Sequence, residues 1–259
     1  VDPEPGPRAR RHRQPRRQGP GLLVDGFDQL PAFGIPYHLP YYQTLLDDAG
    51  FEKSHEHYSG YLDHHPDGKI HMIAAKVLSR GNFEVRCFQD VREIIPWIPV
   101  VDEVQQKAFT SNPNFYPTTE AEFELLAKNI VAIADPKFIK AIMYNDDVAG
   151  FLIAYPNINR ALQKAKGKLF PLGWLFLSHE KKNPVTLDIN GVGLLPEFHG
   201  LGGNALLYAE LDDVTNSTRI KKAEIVQVDE RNLRSKSDME SMGVRFSKIH
   251  RTYYKKLNS

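Results

Sequence analysis

Residues 194–207 read LLPEFHGLGGNALL, and this stretch constrains the fold more than any other part of the chain. Ahead of it, the run from Val185 alternates. Val185, Leu187 and Ile189 fall on one face, and Thr186, Asp188 and Asn190 on the other, the period-two signature of a strand. Behind it, Leu206, Leu207, Leu211 and Val214 recur at helical spacing. Between them lie Pro196 and three glycines, Gly200, Gly202 and Gly203. A strand that turns through glycines into a helix places backbone N–H groups at a helix N-terminus, where anions bind. No Lys-Ser/Thr pair follows, which excludes a P-loop, and the glycine spacing is wrong for a dinucleotide fingerprint. Gly191 and Gly193 interrupt the strand, which predicts a bulge or a close approach to its backbone.

The stretch resembles motif A of the GNAT acyltransferase superfamily. That motif is a strand ending in V-x-P-E-[YF], then [QR]-x-x-G-x-[GA] opening a helix. Leu194, Leu195, Pro196, Glu197 and Phe198 take the first set of places, and His199, Gly202 and Asn204 the second. Asn232, followed by Met239 to Val244, is similar to the family's N…[LY]-Y-E-K-L-G-F segment. The resemblance covers about residues 80–257. It implies an α/β fold with a mixed sheet and an enzyme, an acyl-CoA-dependent N-acyltransferase with acetyl-CoA or a longer acyl-CoA as co-substrate. It also implies a small amine or amino-acid-like acceptor, and it allows a homodimer. The cofactor would touch Leu194, Leu195, Pro196, His199, Gly200, Leu201, Gly202, Gly203, Asn204 and Asn232. The pyrophosphate would sit on the Gly200–Asn204 amides, the pantetheine would pair with backbone near Leu194 and Pro196, and the Leu194 amide would polarise the thioester carbonyl. Asp188, six residues before Leu194, would be the general base, acting directly or through water.

Three positions depart from the family pattern: His199 replaces Gln or Arg, Asn204 replaces Gly or Ala, and Met239 stands where the family carries its acid tyrosine. These departures keep a second reading open, a degenerate GNAT-like module that binds acyl-CoA or serves a structural role.

Along the rest of the chain, residues 1–20 hold six arginines and five prolines with a net charge of +4, and are expected to be a disordered tail. The remainder is near −3, which argues against nucleic acid as a partner of the folded body. PYYQTLLDDAGF (40–51) is similar to the family's closing helix-Gly segment. Residues 21–79 are therefore expected to be a partial GNAT-like repeat with a linker helix, and 80–259 the acyltransferase domain. Since the chain opens on Val1, it reads as a fragment or a truncated reading frame of bacterial type.

The order expected from Phe83 onward has an antiparallel front half and a crossover unit at the back. It includes helices over 94–108 and 118–134 and a hairpin turning at Asp146-Asp147. No apolar run reaches the ~20 residues of a membrane span. FPLGWLFL (170–177) is expected to pack in the core, with a flap or apolar channel as the alternative that would suit a long acyl chain. A single cysteine, Cys87, fits a reducing, cytoplasmic setting, and its β-rich surroundings predict a buried thiol. His55, His57, His64 and His65 are expected to be surface histidines, with no metal.

Overall fold

The computed structural model describes residues 21–63, 68–108, 119 and 134–256. Its frame is one eight-stranded sheet, formed by β1 (Leu22–Asp25), β2 (Glu52–Asp63), β3 (Phe83–Cys87), β4 (Ile139–Tyr144), β5 (Asp147–Pro156), β6 (Thr186–Leu194), β7 (Lys222–Asp229) and β8 (Val244–Tyr254). The strand order is β1-β8-β2-β7-β6-β5-β4-β3. Only β6 and β7 run parallel. The other neighbours are antiparallel; of these, the β3–β4–β5–β6 run is the antiparallel front half expected from Phe83 onward. Both strands from residues 21–79 lie within this sheet, and β2 is inserted between β8 and β7.

The helices are α1 (Tyr41–Asp48), α2 (Lys69–Leu78), α3 (Val91–Ile94), α4 (Ile98–Ala108), α5 (Asn159–Lys164), α6 (Gly173–Lys182), α7 (Gly203–Asn216) and α8 (Leu233–Ser241). The expected helix over 118–134 lies outside the described residues but for residues 119 and 134, and the tail 1–20 lies wholly outside them. The hairpin turns at Asn145-Asp146, one residue earlier than expected. Asn145 takes the left-handed φ of 55° that such a turn requires.

The main core forms where α7 lies on the sheet. Leu206, Leu207 and Leu211 pack with Leu187 and Ile189 of β6 and Ala223 and Ile225 of β7. Each fully buried leucine contributes roughly 2 kcal/mol. A second apolar cluster on the other face joins Val104 of α4 to Phe151 and Leu195.

Two expectations need correction. The 170–177 run is not core: it begins α6, and Leu169, Phe170, Leu172, Trp174, Leu175 and Phe176 are all exposed, Phe170 to 83%. Cys87 is exposed too, because β3 is the edge strand. Lys140 Nζ donates to its Sγ at 3.1 Å.

Candidate functional site

The parallel pair opens beside the glycine turn. Its last bridged residues are Ile189 and Ile225. Beyond them β6 stays with β5 as far as Leu194, while β7 stays with β2 as far as Asp229. Leu195 N–H donates to Ala149 O at 2.8 Å, so the adjacent Leu194–Gly150 pair is of the non-hydrogen-bonded type. The Leu194 N–H and C=O therefore face the gap between β6 and β7. The His199 ring reaches the same place, its Nε2–H donating to Leu194 O at 2.8 Å.

A short 3-10 turn over Pro196–Phe198 leads from the strand to α7. His199, Gly200 and Leu201 are exposed, Gly202 and Asn204 half-buried, and Gly203, Leu194 and Leu195 buried. One of the expected anion-binding amides is engaged within the turn, Leu201 N–H with Phe198 O, and the neighbouring His199 N–H donates to Pro196 O. The first amides of α7, Gly203 and Asn204, have no intrahelical acceptor, as at any helix start. Gly202 caps the helix with φ +98°, and a Cβ there would lie 2.4 Å from Val77 Cγ2 of α2. Its glycine is thus required by helix packing as well as by conformation.

The strand glycines have a comparable cause. A Cβ on Gly193 would come within 2.8 Å of the Phe151 ring, and one on Gly191 within 3.2 Å. The ladder shifts register just there, between Ile153 and Ala154 opposite Gly191 and Ile189. Asn232 caps α8, accepting from Ser235 N–H at 3.1 Å.

Asp188 is brought to a different place from Leu194. At the strand rise, six residues span about 20 Å. Its carboxylate is fully buried on the face away from α7, beneath the segment that follows β1. Oδ2 accepts from Phe33 N–H at 2.7 Å and Oδ1 from Asn157 Nδ2 at 2.9 Å. Burial, then the charge of Glu224, raises its pKa to about 7 against the pull of those donors.

Sequence reading missed the partners of Asp188. Glu224 stands opposite it on β7 and forms a fully buried ion pair with Lys248 of β8. Lys248 Nζ also donates to Leu30 O at 2.8 Å and to the Tyr61 hydroxyl at 3.1 Å. Burial raises the Glu224 pKa and lowers that of Lys248, each toward its neutral form. The only sequence signal was the polar alternation of Asp188 itself, since one charge in each of two strands has no pattern.

Two hollows flank this network. One, of about 670 Å³, is lined by Tyr61, Asn157, Arg160, Thr186, Lys222 and Arg245, among others. The other is a groove of about 830 Å³ between residues 27–37 and α5, with Leu30, Pro31, Phe33, Ile35 and Leu162 on its walls.

The histidine expectation also needs correction. His55 is 2% exposed and the His57 side chain 14%, because β2 is an interior strand. His64 and His65 lie outside the described residues.

No helix among the described residues is long and apolar enough to cross a membrane. No family model matches the chain. It is 30% identical over 156 residues to the bacterial ceramide synthase of Caulobacter vibrioides, a match covering 60% of this chain and 40% of that protein. Two solved structures superpose with a TM-score of 0.50 at 12% identity. One is a GCN5-related N-acetyltransferase from Sphaerobacter thermophilus, covering 82% of this chain and 55% of that one. The other is a tandem GNAT protein from the clavulanic acid biosynthesis pathway, covering 90% of this chain and 62% of that one. The chain thus spans less than two thirds of the length of that curated relative and of these two structures. The likeness is one of architecture: this chain has the mixed α/β fold of the GNAT N-acetyltransferases, with the sheet opened between its two parallel strands.

Proposed function

We propose that the protein is an acyl-CoA-dependent N-acyltransferase that transfers a long acyl group to an amine carrying an apolar tail. The observation that carries this reading is the opening of β6 from β7, with the Leu194 N–H and C=O turned into it beside the exposed turn at the start of α7. A thioester arm laid in that gap would hydrogen-bond to strand backbone on one side. Its diphosphate would meet the Gly203 and Asn204 amides and the positive end of the helix. The Leu194 N–H would then be the donor toward the thioester oxygen.

In the reaction the amine nitrogen attacks the thioester carbon, the C–S bond breaks, and CoA leaves as a thiol after taking up a proton. The amine must lose one. Asp188, about 20 Å along β6 from Leu194 and covered by Phe33, does not reach an amine at that carbonyl, so the proton leaves the amine to water. The preference for long chains is supported by the apolar groove beside α5, by the exposed apolar start of α6, and by the curated relative, which is named a bacterial ceramide synthase.

The test is calorimetric titration of the whole chain with CoA, acetyl-CoA and a long-chain acyl-CoA, followed by thiol release with a long-chain amine. Saturable binding of the long-chain thioester and amine-dependent thiol release are expected. Absence of binding to all three would remove the reading.

A second reading is favoured by one specific contact. His199 Nε2 already occupies the Leu194 carbonyl that a pantetheine amide would use. Binding without thiol release would favour this degenerate module.

A further inference from the structure

Away from the glycine turn, the β2–β7–β8 region carries a cluster of buried imidazoles that acyl transfer does not use. His55 and His57 project from the same face of β2, with ring centroids 5.0 Å apart. Asp229 is cross-strand from His57 on β7, and His57 Nε2 lies 3.8 Å from its Oδ2. One ligand atom from each of the three falls within 4.8 Å of the others. We propose that His55, His57 and Asp229 form a site for a divalent transition-metal ion of the zinc class, tying the end of β7 to β2.

The cluster is polar yet poorly satisfied. His57 Nδ1 is buried without a hydrogen-bond partner. Opposite His57 on β8 stands His250, 1% exposed, and neither of its ring nitrogens has a partner. A buried polar atom left unpaired costs about 1–3 kcal/mol, and three such atoms in adjacent strands are unusual. A cation bound through His57 Nδ1 would remove that atom's share of the cost.

Two imidazoles and one carboxylate are a ligand set that zinc accepts, with the fourth position left to water. Bonds of about 2.0–2.2 Å place tetrahedral ligands roughly 3.4 Å apart, so atoms as far as 4.8 Å apart must close by up to about 1.4 Å. Burial holds the imidazoles toward the neutral, ligating form. Arg231 donates to both oxygens of Asp229, at 2.9 and 2.6 Å. The Arg231 backbone N–H also donates to Oδ1, at 2.9 Å, so Arg231 orients the carboxylate in the manner of outer-shell partners elsewhere.

The experiment uses the untagged full chain, stripped with a chelator and titrated with Zn²⁺ alone. Metal content after gel filtration gives stoichiometry, and Co²⁺ substitution gives a visible ligand-field spectrum. One equivalent is expected, with a rise in the unfolding midpoint. His57→Ala and Asp229→Asn are each expected to weaken binding at least about tenfold, while the joint His64→Ala/His65→Ala variant retains it. Asp229→Asn keeps the side chain's size, and its fold is checked by circular dichroism. The proposal is overturned by a lack of saturable zinc binding, by loss confined to the His64/His65 variant, or by full affinity in folded Asp229→Asn.

Discussion

Glu224 and Lys248 face one another across the sheet with β2 between their strands, and each is only 1% exposed. Lys248 also holds Leu30 O and the Tyr61 hydroxyl, so a single ammonium ties the N-terminal segment to the sheet. Breaking a buried pair from one side leaves a charge without compensation, at a cost of about 3–5 kcal/mol. Lys248→Met is expected to lose that much in urea unfolding. The double variant Glu224→Gln/Lys248→Met should recover a large part, since neither charge then remains. Equal losses in the single and double variants would show that the cost lies in the Leu30 and Tyr61 contacts instead.

Asp188 should make stability depend on pH in a defined sense. Its folded pKa, about 7, lies above the ordinary carboxylate value of 3.8, so the folded state holds a proton that the unfolded state releases. Its contribution is complete below about pH 4, is lost progressively as pH rises toward 7, and stays constant above that. A shift of this size corresponds to roughly 4 kcal/mol. The difference in unfolding free energy between wild type and Asp188→Asn should therefore shrink from pH 4 to pH 7. A difference that stays flat would mean that the carboxyl titrates normally.

These two groups also show what the sequence could and could not reveal. The strand–turn–helix unit was legible because its signals are local: alternation to Ile189, glycines at 200–203, and helical spacing from Leu206. The parallel β6–β7 pair followed from the crossover rule. Which strand would flank β7 was not legible, because β2 is about 160 residues away in sequence and its insertion leaves no periodic trace. Asp188 was visible as a polar residue on an alternating strand. That its face is a second buried layer depends on residues 26–33, which have no periodicity of their own. The apolar run at 170–177 misled for the converse reason: hydrophobicity alone does not distinguish a core helix from one whose apolar side chains remain exposed.

Gly202 offers a test of the turn that is independent of ligand. Its φ of +98° disfavours any side chain, and a Cβ would press on Val77. Gly202→Ala should cost about 1–3 kcal/mol in thermal or urea unfolding. Adding Val77→Ala removes the steric share and leaves the conformational one, so the cost beyond that of Val77→Ala alone should fall without vanishing. Full restoration would mean that backbone conformation contributes nothing.

The exposed start of α6 separates stability from substrate choice. Phe170 is 83% exposed and Leu172 57%, so little burial is lost when either becomes polar. Surface changes of this kind usually shift stability by less than about 0.5 kcal/mol. The joint variant Phe170→Ser/Leu172→Ser is therefore expected to unfold like the wild type. If the apolar run accompanies a long-chain substrate, the same variant should raise KM for long-chain substrates while leaving kinetics with acetyl-CoA and a short amine unchanged, since a short group does not reach the run. Each CH₂ kept from water contributes about 0.8 kcal/mol, so losing contact with two or three methylenes corresponds to a change of roughly tenfold or more. An unchanged ratio of long-chain to short-chain turnover would place these side chains outside the substrate path.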